Sequence, residues 1–377
     1  MNTKMSIGVI SAPPPIPVRP TTKPTTRPPR TSVGSTFIRA RQTHAWREGE
    51  RRRSSPEASR DDSLGHYSRR VTVRHENVTR RDDGGSPAFI RGVILSRPEP
   101  VVVEPDLDDA GLAAALAEGA GRVLVTLRDA VDEADDEFDP NQLKAEGDAR
   151  SQAWLASQLL RARGDDLVLS EEAVDDVARL DADRVWIVDP LDGTREFAER
   201  ADGSWRTDFA VHVALWERGG GLTAGAVGLP ARDQVFDTSR PALPDMRDTA
   251  DVLAGRRPLR LAASRSRPPA FVAALAERGD VELVPMGSAG VKVVSVVDGT
   301  VDAYVHGGGQ YEWDSAAPVA VAEAAGYVCT RLDGSELEYN RENPWLPDLF
   351  VSHPALAAHL RQLLDVVGAT NQEGVQP

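Results

Sequence analysis

From Asp106 onward the sequence predicts an α/β (α+β) protein of mixed sheets and helices, preceded by a disordered, basic arm over residues 1–105. Three observations predict it. The chain has 377 residues, 41% hydrophobic and 27% charged, enough to bury a sizeable core. Its formal net charge of −14 is unevenly divided: through Pro98 there are 19 Lys and Arg against 8 Asp and Glu, and beyond it 25 against 50. The early part is rich in Pro, Thr, Ser and Arg with no sustained apolar period, a composition that cannot bury enough surface to fold. The later part alternates helix-periodic stretches with short β-rich runs.

The elements follow in order. Leu112, Leu116, Val123 and Leu127 fall at helical spacing, and Leu155, Leu159 and Leu160 mark a second helix starting near Asp148. Residues 184–188 read as a buried strand, residues 209–216 alternate as a half-buried one, and Gly219 to Gly221 turn the chain into a strand at 224–229. A second half begins near Leu259, with strands at 259–263, 281–285 and 301–305 and helices at 270–278, 316–325 and 355–367. The Pro- and Asp-containing stretch 241–257 is the expected hinge. The predicted organisation is therefore a half over 106–245, a half over 246–370 and a tail over 371–377. Cys329 is the single cysteine, which excludes an internal disulfide and a multi-cysteine zinc site and fits a reducing, cytoplasmic setting. No run reaches the roughly 18 consecutive apolar residues of a membrane span.

Chemistry concentrates in Asp189-Pro-Leu-Asp-Gly-Thr194, where an apolar strand ends in two carboxylates three residues apart. Pro190 stiffens the turn so that both carboxylates can face one hard cation. Gly193 permits close backbone approach to a ligand, and Thr194 opens a segment whose free N–H groups can hold a phosphate. An Asp-Pro turn with a capping Asp would leave the same trace. Glu171 and Glu172 end a short strand, and Asp314, in Trp313-Asp-Ser-Ala-Ala317, opens an Ala-rich helix. Each has a plainer reading, as solvated loop charges and as a helix cap.

In this order, Glu-Glu, then Asp-Pro-Leu-Asp-Gly-Thr, then Trp-Asp-Ser-Ala-Ala, the set resembles the inositol monophosphatase superfamily. Thr194-Arg-Glu-Phe197, Gly287-Ser-Ala-Gly-Val-Lys292 and Asp333-Gly-Ser-Glu-Leu-Glu-Tyr-Asn340 are similar to its 3′(2′),5′-bisphosphate nucleotidases, the CysQ-type proteins of sulfate assimilation. The resemblance implies a layered αβαβα sandwich with the active site between the halves. It implies two or three Mg²⁺ held by Glu171, Asp189, the Leu191 carbonyl, Asp192 and Asp314, with Glu172 beside them orienting water. The aspartates of haloacid dehalogenase phosphatases are two apart rather than three, so no phosphoaspartyl intermediate is expected.

The implied activity is hydrolysis of the 3′-phosphate of 3′-phosphoadenosine 5′-phosphate, and of its sulfated relative, by activated water. Catalytic roles fall to Asp148, Glu171, Glu172 and Thr194. The family reads Thr-x-Ala-Asp where this chain has Ala145-Glu-Gly-Asp148. Substrate contacts are implied for Asp192, Gly193, Thr194, Ser264, Arg267, the Gly287-Ser288-Ala289-Gly290 loop and Lys292, cations suiting phosphates. Of Trp205, Trp216, Trp313 and Tyr311, at most one is expected to stack on adenine. Inositol 1-phosphate and fructose 1,6-bisphosphate are alternative substrates, and a nucleotide sensor without turnover is a third reading. Lithium inhibition and a homodimer are implied by resemblance alone. The basic stretches of the arm have the charge to bind nucleic acid or an acidic surface but carry no recognisable module, so the expected partner is a small-molecule nucleotide, with no membrane partner expected.

Overall fold

A computed structural model describes residues 102–134, 138–246, 248–266 and 268–369. The arm through residue 101, Arg267 and the tail lie outside the described residues. Everything described belongs to one compact unit.

Helices α1 (Asp109–Glu133) and α2 (Pro140–Ala162) come first, then β1 (Leu167–Ser170), β2 (Arg184–Asp192), the single turn α3 (Thr194–Phe197), and the short pair β3 (Arg200–Ala201) and β4 (Ser204–Trp205). Next are β5 (Ala210–Glu217), β6 (Gly221–Leu229), β7 (Gln234–Asp237), α4 (Thr249–Leu253), β8 (Leu259–Ser264), α5 (Ala270–Ala276), β9 (Val281–Met286) and α6 (Ala289–Val297). The chain continues through β10 (Ala303–Tyr311), α7 (Glu312–Ala324), β11 (Val328–Thr330), β12 (Trp345–Ser352) and α8 (Ala357–Val366).

Two five-stranded sheets form, ordered β1-β2-β5-β6-β7 and β11-β12-β10-β8-β9. In the first, β1 and β2 are parallel and the rest antiparallel. In the second, β9, β8 and β10 run parallel, and β12 and β11 complete it antiparallel. Strand alternation assigns side chains to three cores. Trp186 and Val188 of β2 join α1 and α2 on one side, whereas Val185 and Ile187 face α6 and α7. Across the second sheet, Tyr304, Leu349 and Val351 face the same α6 and α7, whereas Val305 and Phe350 face α5 and α8. The layers are therefore helix, sheet, helix, sheet, helix, as the resemblance implies.

Several local expectations change. Val103 is buried and its N–H donates to Gln158 Oε1 at 3.1 Å, so ordered packing begins before residue 106. Helix α2 starts at Pro140 rather than near Asp148, because the Asp139 carboxylate caps it and Pro140 suits its first position. Leu160 of that helix is 72% exposed. Strand β5 is buried on both faces rather than half-buried, being central and covered by helices on each side. Residues 241–257 include α4. The β-branched run after Gly290 is helix α6, capped by Ser288 and buried nearly all round. Helix α1 is long and apolar enough to cross a membrane, yet its face of Leu112, Leu116, Leu124 and Leu127 packs in the first core.

Candidate active site

Two residues three apart on a regular strand point to opposite faces. In β2, Asp189 pairs with His212 and Asp192 with Ala210, three residues against two, so a bulge inserts one residue and returns both carboxylates to one side. The Leu191 N–H closes the turn onto Asp189 Oδ1 at 3.0 Å. Gly193 then sits at φ +86°, and a Cβ there would lie 3.2 Å from the Asp208 carbonyl, so glycine is required on both counts. The turn α3 that follows is held from behind by buried Arg128, which donates to the carbonyls of Glu196, Phe197 and Arg206. Gly147 inside α2 completes the seat, since a Cβ there would be 2.7 Å from Phe197 and 2.9 Å from Leu191.

Helix α7 brings the third carboxylate. Asp314 accepts the Tyr311 N–H at 2.6 Å, and oxygens of Asp189, Asp192 and Asp314 all lie within 4.8 Å of one another. Glu171 hydrogen-bonds with Asp189 from the end of β1. Although Glu171 keeps an exposed face, desolvation of its carboxyl, then the charges of Asp314 and Asp192, push it up to about 7. Asp314 is pushed up to about 6 by burial and Asp192, and Asp189, 1% exposed, is raised far above the carboxylate range. Asp192 differs. Burial works to raise it, but His212, Lys292 and Ser288 outweigh that and hold it at about 2. Such mutually repelling, oxygen-only ligands fit a hard divalent cation, which relieves the repulsion that otherwise forces protons onto them.

Thr194 Oγ1 donates to the Leu191 carbonyl at 3.1 Å, and the Asp148 carboxyl lies near the same hydroxyl. Burial, then the nearby Glu172 charge, lifts Asp148 to about 6. Glu172 itself is exposed. Glu172 thus lies near both Asp148 and Glu171, and Thr194 near Asp148 and the Leu191 turn.

The turn before α6 is a buttress. Ser288 Oγ donates to Asp192 Oδ2 at 2.6 Å, the Gly290 N–H to the same oxygen at 2.8 Å, and the Gly287 N–H to Asp208 Oδ2 at 2.6 Å. The Lys292 ammonium, expected to meet phosphate, is buried and donates to the Gly287 and Ser288 carbonyls at 2.5 and 2.7 Å. Burial lowers its pKa despite the neighbouring Asp192.

A profile of the inositol monophosphatase family matches residues 108–365. The chain belongs to that family. Among curated relatives of this family member, a 3′-phosphoadenosine 5′-phosphate phosphatase of Mycobacterium leprae is 45% identical over 67% of this chain and 92% of its own length. The 3′(2′),5′-bisphosphate nucleotidase CysQ of Escherichia coli K12 is 31% identical over 43% of the chain and 65% of its own length. Among solved structures, CysQ from Bacteroides thetaiotaomicron superposes with a TM-score of 0.52 at 27% identity, covering 64% of this chain and 96% of that one. Inositol monophosphatase II of Staphylococcus aureus gives 0.55 at 20% identity, covering 71% and 98%, and shares the fold. Family membership and these relatives make the chain a phosphatase, a hydrolase of phosphoric monoesters.

In this family member a cavity of about 420 Å³ adjoins the cluster, with Asp192, Gly193, Ser264, Ala289, Lys292 and Asp314 in its wall. Arg267 lies outside the described residues. Its neighbour Arg265 is bound to Glu196 and Glu199. Trp205 packs on Phe138 and Arg128, Trp216 lies near Arg218, and Tyr311 stacks on Trp313 while facing the cavity.

Four supporting residues carry no sequence signal of their own. His212, fully buried, places Nε2 3.2 Å from Asp192 Oδ2 and Nδ1 3.0 Å from the Trp313 carbonyl. Asp208 holds Gly287. Arg179, fully buried, binds Asp175, Asn340 and the Arg341 carbonyl. Glu312 accepts the N–H groups of Asn340 and Arg341 beside Asp314. The residues after Glu172 are thereby tied to the start of α7.

Proposed function

We propose that the protein hydrolyses the 3′-phosphate of 3′-phosphoadenosine 5′-phosphate to give adenosine 5′-phosphate, with Mg²⁺ as cofactor and water as nucleophile. The observation that carries this is the convergence of Asp189, Asp192 and Asp314 within 4.8 Å at the mouth of a cavity walled by Gly193 and Ser264. Glu171, Asp189, the Leu191 carbonyl, Asp192 and Asp314 would hold two or three Mg²⁺. Bound there, Mg²⁺ neutralises phosphoryl charge and makes water more acidic. Thr194, held by the Leu191 carbonyl with Asp148 beside it, and Glu171 would together aim a water at phosphorus. Asp148, held near 6, is suited to accept the water's proton near neutral pH. The water oxygen–phosphorus bond forms as the bond to the 3′-oxygen breaks, and the leaving oxygen takes a proton from solvent water. The name of the 45%-identical relative supports the nucleotide as substrate. A cytoplasmic location, activity on the sulfated relative and inhibition by lithium belong to the same reading.

Purified protein with Mg²⁺ is offered 3′-phosphoadenosine 5′-phosphate, inositol 1-phosphate and fructose 1,6-bisphosphate in parallel, and phosphate release is followed, with Asp189→Asn as control. Preference for the nucleotide, lost in the control, is expected. Equal or better turnover of the sugar phosphates would make this a broad phosphatase, and nucleotide binding with no metal-dependent release would make it a sensor.

A further inference from the structure

Gly307, Gly308 and Gly309 interrupt β10, which loses its register with β12 between Gly307 and Gln310. Gly308 and Gly309 lie at φ +100° and +96°, and a Cβ on Gly309 would meet Trp345 Nε1 at 2.4 Å. The bulge therefore leaves room for the Trp345 indole against strand backbone, and the next residue, Gln310, joins the wall of the cavity shared by Asp192 and Asp314. Gln310 is 8% exposed, and its Nε2 has no hydrogen-bond partner among the described residues. Buried side-chain amides left unpaired in this way are rare, and each asks for a cause, a functional contact or a bound water among them. Two aromatic residues, cross-strand partners on β12 and β10, belong to the same wall: Trp345, and Tyr311, which is 43% exposed with its ring stacked on Trp313 at 4.7 Å and 10°.

We propose that Gln310 determines specificity, its amide hydrogen-bonding the edge of a purine base whose ring lies against Tyr311 and Trp345. This rests on the nucleotide reading above and adds to it the residue that reads the base. A carboxamide matches the donor and acceptor pattern of an adenine edge, and aromatic faces stack on heterocycles. A phosphate fits this wall poorly. The described cation in the cavity lining, Lys292, already donates to Gly287 and Ser288, and His306 is engaged through Nε2 with the Gly309 carbonyl. Sugar phosphates lacking a base leave the Gln310 amide unanswered, which is how a buried polar group rejects a substrate.

The test compares wild type, Gln310→Leu and Gln310→Glu, each checked for an unchanged melting curve, on 3′-phosphoadenosine 5′-phosphate and on inositol 1-phosphate, with adenosine 5′-phosphate binding titrated separately by tryptophan fluorescence. Loss of one hydrogen bond predicts about a tenfold fall in the ratio of kcat/KM for the nucleotide over inositol 1-phosphate, carried by KM, with matching loss of adenosine 5′-phosphate affinity. A variant that weakens both substrates in proportion, or neither, overturns the inference while leaving the nucleotidase reading in place. Wild type that neither binds nor turns over the nucleotide removes that reading first, and this inference with it.

Discussion

Ser288→Ala removes a single oxygen that does two things. Its hydroxyl donates to Asp192 Oδ2 at 2.6 Å and accepts the Val291 N–H at 3.0 Å, capping α6. A hydrogen bond to a charged group contributes about 1.5–3 kcal/mol, and a Ser cap about 1 kcal/mol. The Gly290 N–H and His212 still face the carboxylate, so the expected loss of stability is about 2–3 kcal/mol, near the lower end of that sum. At about 2–4 °C per kcal/mol, the Tm falls by about 4–12 °C. With one of its three holders gone, Asp192 is less firmly preset for a cation, and groups that orient metal ligands commonly carry about 10–100-fold in metal affinity. The assay is phosphate release as a function of Mg²⁺ concentration, with melting curves alongside. The Mg²⁺ concentration for half activation should rise by at least about tenfold while kcat at saturation recovers most of its value. Ser157→Ala, which loses a bond to the Trp154 carbonyl and one accepted from Gln158 Nε2, both within α2 and away from the acidic cluster, should leave the Mg²⁺ dependence unchanged. A lower Tm with unchanged Mg²⁺ dependence would refute the orienting role and leave Ser288 as a helix cap.

Gly193→Ala forces a side chain into the left-handed region at φ +86° and to within 3.2 Å of the Asp208 carbonyl, so kcat should fall sharply and stability by at least about 1–2 kcal/mol, read by melting and turnover. Arg128→Met leaves three carbonyls behind α3 without their donor, at about 1–3 kcal/mol each, so a Tm loss of at least about 6 °C is expected. Arg128→Lys should not restore it, because one ammonium cannot span three acceptors. At Asp302, burial raises the pKa but Arg257 and Arg260 outweigh it, holding the carboxyl below its ordinary 3.8. Its contribution is present above pH 3.8 and is lost as pH falls through the lower folded-state value, so Asp302→Asn should be less stable at pH 7 and converge with wild type in acid melts.

What the sequence discloses is decided by how local each cause is. The acidic motifs were legible because their spacing and order are local, and the layers because helical and strand periods repeat over many residues. Helix α2 was begun too late because Gly147 and Asp148 look like a boundary, whereas Gly147 answers the approach of Phe197 and Leu191 from elsewhere in the chain. Helix α6 was hidden because consecutive valines favour strands, and burial on all sides overrides that preference. His212 was invisible for the same reason as Arg179: each is one residue in an unremarkable run, and its meaning comes from partners about 100 and 160 positions away.

The substrate-facing part was legible as a place but not as a set of roles. Gly287, Ser288, Gly290 and Lys292 have the residue types of an anion-binding turn, free N–H groups, a hydroxyl and a cation. In the fold those N–H groups and the hydroxyl point at protein carboxylates, Asp208 and Asp192, and the cation at carbonyls of the same turn. A carboxylate and a phosphate ask for the same donors, so sequence chemistry alone does not distinguish a loop that binds phosphate from one that holds the ligand of the metal that binds phosphate. The Asp333-to-Asn340 stretch makes the same point: its last residue meets Arg179, in the segment that follows Glu172, and Glu312, two residues before Asp314. Its effect on turnover would therefore run through the placement of acidic side chains on both sides of the cleft, rather than through contact with the substrate.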